Sequence, residues 1–192
     1  MSLVELIAQA DERGLAASGL ACLDRCVPVL GGDDDVLRPL WARLAEGGDW
    51  RAPLAEARSA LGTGTGSGAD EGGPASGSGA SHEAATLTRR MLDAVPAGPS
   101  GAEIREWADG CSVAALQVHR LLDTAPADGM DTASTLTSPL VAAELRRQVR
   151  ILELLANKGA GPVGGLRQAL DVSMEGRRVL RAVVSRRARA RH

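Results

Sequence analysis

The amino-acid sequence predicts an all-α protein, two small helical modules joined by a Gly/Ser-rich flexible linker. Three observations carry this expectation. Apolar residues make up 44% of the chain, yet it has no Phe, no Tyr and only three Trp, so Ala, Leu and Val must fill the core. Ala and Leu favour helix, and no segment alternates apolar and polar residues for long enough to demand a strand. Residues 62–81, GTGTGSGADEGGPASGSGAS, contain no large apolar side chain. Nothing in that stretch offsets the entropy of ordering its backbone, so a linker is expected between a module at 1–61 and another at 82–192.

The elements follow in order. Ser2 and Glu5 have capping-box spacing and open a helix expected to reach Gly14. LAASGLACLDRCVPVL reads as a second helix, stopped near Pro28. Asp33, Asp34 and Asp35 precede VLRPLWARLAEGG, where carboxylates would cap a third helix and a Gly pair would end it. DWRAPLAEARSALG gives a fourth, from about Asp49. Four short helices make a marginal core alone, so this module is expected to pack on the C-terminal module or on a partner. Beyond the linker, HEAATLTRRMLDAV is helical up to Pro96. From Ser100, one long helix or two place Ile104, Trp107, Cys111, Ala115, Val118 and Leu122 on one side. Ser138 followed by Pro139 starts a helix running to about Asn157, with an apolar stripe expected at Leu145, Val149, Leu152 and Leu155.

Few residues nominate chemistry. Cys22 and Cys26 share a helix face, but a metal needs three or four ligands and none lies nearby in sequence. Parallel side chains one turn apart also suit a disulfide poorly, so both read as small buried residues. Cys111 and His119 are about 12 Å apart along a helix and cannot chelate one ion. His82, His119 and His192 are scattered. GGDDD at 31–35 lacks the ligand spacing of a calcium loop, and GAGPVGG at 159–165 reads as a turn, with no Lys-Ser/Thr to make it a phosphate loop. No nucleophile triad or acid pair is nominated. Hence no catalytic residue, no cofactor and no metal are expected, and the chain is not expected to be an enzyme. Trp41, Trp50 and Trp107 read as core anchors. Three cysteines without a disulfide pattern, no secretory signal and no long apolar span point to the cytoplasm rather than a membrane.

Charge is the strongest asymmetry. Residues 1–81 carry −6, residues 82–145 carry −5, and residues 146–192 carry +9. The basic end either meets an anionic partner or docks on the acidic remainder of its own chain or of a second copy. ILELLANKG at 151–159, Val163, and LRQALDVS at 166–173 resemble the front half of a winged helix-turn-helix transcription regulator. The resemblance implies a turn near Ser173 into a recognition helix reaching about residue 184, and double-stranded DNA as a partner through 151–191. Arg177 stands where that family carries an apolar core residue.

Independently of the family, helical spacing puts Val179, Leu180, Val183 and Val184 on one face and Arg177, Arg178, Arg181 and Ser185 on the other. With Arg186, Arg187 and Arg189, these arginines are the candidate contacts to nucleic acid or to an acidic partner. The basic segment has no aromatic residue, which argues against single-strand stacking. The sequence therefore favours a non-catalytic regulatory or adaptor protein that binds a protein partner or itself. A DNA-binding regulator is the alternative.

Overall fold

The computed structural model describes residues 2–62, 76–96, 101–123, 138–157 and 161–190. All regular structure among them is helical, as composition predicts. The elements are α1 (Leu3–Gln9), α2 (Glu12–Cys26), a 3-10 turn (Val27–Leu30), α3 (Arg38–Glu46), α4 (Arg51–Gly62), α5 (Ser76–Asp93), α6 (Gly101–Leu122), α7 (Pro139–Ala156) and α8 (Gly161–Arg189).

Helix α1 carries the expected capping box, Ser2 with Glu5, but it stops at Gln9 rather than Gly14. Asp11 ends it by starting the next helix: its carboxylate accepts the Gly14 N–H, and a strong N-cap outcompetes continuation. Helix α2 is the centre of the molecule. Every residue from Gly14 to Cys26 is buried, the pattern of a helix surrounded on all sides. It packs mainly on α6 and α8, with α7, α5 and α3 around it. Gly19 is what lets α6 approach: a Cβ there would stand 2.7 Å from the Trp107 ring. Residues from both sides of the 62–81 stretch share a single core, with Leu20 and Leu54 in the same cluster as Trp107 and Leu180. The expected linker lies largely outside the described residues. Its last six, Ser76–Ser81, belong to α5, because extending an existing helix needs no new nucleus.

Several local expectations are corrected. Asp33, Asp34 and Asp35 do not cap α3: its N-cap is Leu37, with no side-chain hydrogen bond, and Pro39 in the first turn preorganises the start. Gly47 ends α3 in the left-handed region, at φ 69°. Helix α4 begins at Arg51, with the Asp49 carboxylate accepting the Arg51 N–H. Helix α6 is one continuous helix with the predicted face buried. Helix α7 has its Ser138 cap, but its stripe is rotated by about one residue. Glu144, Gln148, Ile151, Leu152 and Leu154 are buried, and Leu145 is 39% exposed. Of the turn expected at 159–165, residues 161–165 belong to α8 and the first two lie outside the described residues. Residues 166–173, where the family resemblance implies a turn, are helical throughout.

Candidate interaction surfaces

The first polar constellation is sealed inside. Helix α2 presents two adjacent opposite charges, Asp24 and Arg25, both essentially without solvent exposure. Neighbours in a helix point about 100° apart, so each meets a different helix. The Arg25 guanidinium forks onto Glu144 of α7, with Nε donating at 2.8 Å and Nη2 at 2.6 Å. Gln148 donates to Glu144 at 3.0 Å and to the Ser112 carbonyl, and the Ser112 hydroxyl donates to Gln148 at 2.7 Å. Burial alone would push the Glu144 carboxyl up, but Arg25 overrides it and holds it below the ordinary range. His119 lies beside this pair. Its Nδ1 sits 2.7 Å from the Ala115 carbonyl, so Nδ1 carries the proton and Nε2 faces Glu144 at 3.6 Å. Burial pulls the ring's pKa down against the attraction of Glu144.

Asp24 faces the other way, to α8. The Ser173 hydroxyl donates to it at 2.8 Å and Arg177 at 2.8 Å. Burial pushes the Asp24 carboxyl up, and Arg177 and Ser173 draw it back.

This fixes the fate of the six sequence-nominated arginines. Arg177 is buried, pairing with Asp24 and at 3.3 Å with Asp34. The expected two-faced helix is corrected accordingly: α8 buries Ser173, Gly176, Arg177, Leu180 and Val183, while Val179 is 37% exposed. Arg181 is half-buried, donating to Asp34 at 2.7 Å and to the Gly32 carbonyl. Arg187 is half-buried and donates to the Leu121 carbonyl at the end of α6, a favourable place for a cation. Arg178, Arg186 and Arg189 are exposed. The basic end thus docks, through Arg177 and Arg181, on acidic residues of its own chain. Sequence reading missed Asp24, Arg25, Glu144, Gln148 and His119. One signal was present: Leu140, Ile151 and Leu155 continue a helical stripe that passes through Glu144 and Gln148.

The cysteines lie in the core, and burial pushes the Cys22 thiol up to about 12. Among the described residues no group of three His, Cys, Asp or Glu is placed to hold a metal ion. No helix among them is long and apolar enough to cross a membrane.

One of several surface clefts among the described residues is mostly apolar. A groove of about 710 Å³ runs along the outer seam of α5 and α6. Its floor includes Leu87, Met91, Trp107 and Cys111, with small residues Ala94, Gly110 and Ala114 beside them. Trp107 is anchored by donating its indole N–H to the Met91 carbonyl at 2.9 Å, and packs edge-on to Trp50 with centroids 6.1 Å apart. Arg90 and Glu106 stand on opposite banks, from α5 and α6 respectively. No protein-family model matches the chain, nor does any curated protein or solved structure.

Proposed function

We propose that this chain is a non-catalytic helical regulatory or adaptor protein that acts by contact with a protein partner or a second copy of itself. One observation carries the reading: the molecule consumes its most suggestive charges internally. Arg177 and Arg181, which would read DNA in the alternative, are held by Asp24 and Asp34. Two groups able to move protons, Glu144 and His119, are closed off from solvent. Among the surface clefts of the described residues is a mostly apolar groove of a size that seats a side-chain ridge of another protein.

The alternative, a DNA-binding regulator using 151–191, draws support from Arg178, Arg186 and Arg189, exposed on α8, and from Arg146, exposed on α7. Light-scattering mass of the purified chain, with and without random-sequence duplex DNA at low and high salt, separates the two. Protein contact predicts a mass indifferent to DNA. A DNA-dependent gain that vanishes at high salt overturns it in favour of the regulator.

A further inference from the structure

We propose that the seam where α7 meets α2 and α6 is a proton-operated latch: a proton taken up by His119 Nε2 parts α7 from both helices and bares the apolar face that α7 covers. The latch is a property of the fold and does not depend on which partner the chain contacts.

The first observation is where the proton lands. His119 is 1% exposed, and its Nδ1 is committed to the Ala115 carbonyl. The ring atom left to titrate, Nε2, faces Glu144 Oε2 at 3.6 Å. That carboxylate is already occupied on both oxygens. Its Oε1 accepts Arg25 Nη2 at 2.6 Å and Gln148 Nε2 at 3.0 Å, and its Oε2 accepts Arg25 Nε at 2.8 Å. Arg25 and Glu144 balance each other with no solvent exposure, so an imidazolium sets a second cation on one buried carboxylate. Arg147 of α7 is a further cation acting on the ring. Asp24, the neighbouring acid on α2, is turned to Ser173 and Arg177 of α8. Arg187 of α8 comes to the Leu121 carbonyl of α6. Cys22 and Cys26, which border Arg25 and Glu144, stay neutral thiols because burial raises both. Among the described residues Glu144 is thus the carboxylate facing the ring, and it is spent. A buried charge without its own partner is costly until water reaches it.

The second observation is which helix gives way. Glu144 and Gln148 tie α7 to Arg25 of α2 and Ser112 of α6, and both belong to the cluster that the proton overloads. The contact of α2 with α6 is of another kind, apolar and close, with Gly19 against the Trp107 ring. Helix α8 keeps its own hold on α2 through Asp24. Helix α7 remains against α8, where a Cβ at Gly165 would stand 2.9 Å from the Leu154 carbonyl. Parting α7 from α2 and α6 lets water reach Glu144 and His119 and uncovers Ile151 and Leu152. In the open state the ring has its ordinary basicity, with a pKa of about 6.5. Each pH unit below that favours opening by up to ~10-fold, until the closed form is itself protonated.

Backbone hydrogen exchange of the full chain, followed by NMR between pH 7.5 and 5.5 and corrected for the intrinsic pH dependence of exchange, tests this. The opening equilibrium of the α7 amides from Glu144 to Leu154 is expected to rise by up to ~10-fold over that range, while the α5 amides keep their protection. His119→Gln, which takes up no proton, is expected to leave α7 opening independent of pH. An α7 whose opening ignores pH in the parent, an α5 that opens in step with α7, or a His119→Gln chain that keeps the parent's response overturns the latch. The parent's own ring gives a check that needs no variant. A His119 ring resonance that titrates at about pH 6.5 or above overturns the latch too, because the proton then enters the closed seam without opening it.

Discussion

Removing Glu144 is the sharpest perturbation the core allows. In Glu144→Leu the Arg25 charge stays in place with no solvent exposure and no counterion. Cys22 Sγ, at 3.5 Å, is the one other acceptor Arg25 reaches, and its Nη1 has no hydrogen-bond partner among the described residues. Stranding one member of a buried pair costs about 3–5 kcal/mol. That is a large fraction of the roughly 5–15 kcal/mol that holds a domain folded. At about 2–4 °C per kcal/mol for a chain of this size, Tm should fall by roughly 6–20 °C. Arg25→Met combined with Glu144→Leu removes both charges and should recover most of the loss, because a buried pair gains little over an apolar isostere. Urea unfolding followed by far-UV circular dichroism, with equal slopes across the set, gives the double-mutant cycle. A Glu144→Leu protein within about 1 kcal/mol of the parent would refute the reasoning, as would a double variant as unstable as the sum of its parts.

Other expectations follow from the same geometry. His119 is held neutral in the fold, so its unfolded form takes up the proton first. Its contribution is complete above its unfolded pKa of about 6.5 and declines as pH falls below that. Urea midpoints between pH 7 and 5.5 should therefore drop for the parent, and His119→Gln should flatten that slope; an equal slope in both would exclude His119 as its source. Arg177→Ala leaves Asp24 without its cation and should cost about 3 kcal/mol, whereas Arg178→Ala should stay within about 0.5 kcal/mol by the same assay. Gly19→Ala drives a methyl into the Trp107 ring and should cost about 1–3 kcal/mol, with a change in tryptophan emission. Cys22, Cys26 and Cys111 should all resist a thiol reagent in the native state and react together on unfolding; rapid labelling of any one would contradict its burial.

Much of the helical layout was legible in the sequence because caps are local. Ser2 with Glu5, and Ser138 with Pro139, announce their helices within four residues. The face of α6 from Ile104 to Leu122 was legible for a related reason: its apolar spacing is unbroken. The candidate charges were not. A polar residue inside a helix reads as solvent-facing unless its partner is known, and the partner of Arg25 lies 119 residues away. This is why the apolar spacing alone draws the α7 stripe through Leu145. Arg177 was misplaced for the same reason, since Asp24 sits 153 residues upstream. Asp33–Asp35 shows the converse error: a local capping role was available, but Asp34 serves distant arginines instead.

The central position of α2 has a consequence for how the chain is made. A ribosome finishes Cys26 long before it reaches Glu144 and Arg177, the residues that neutralise Arg25 and Asp24. At 5–20 residues per second that wait is roughly 8–30 s. Throughout it, the helix destined for the middle of the fold lacks its counterions and the cover of α7 and α8. The described fold can close only once α7 and α8 have both been synthesised.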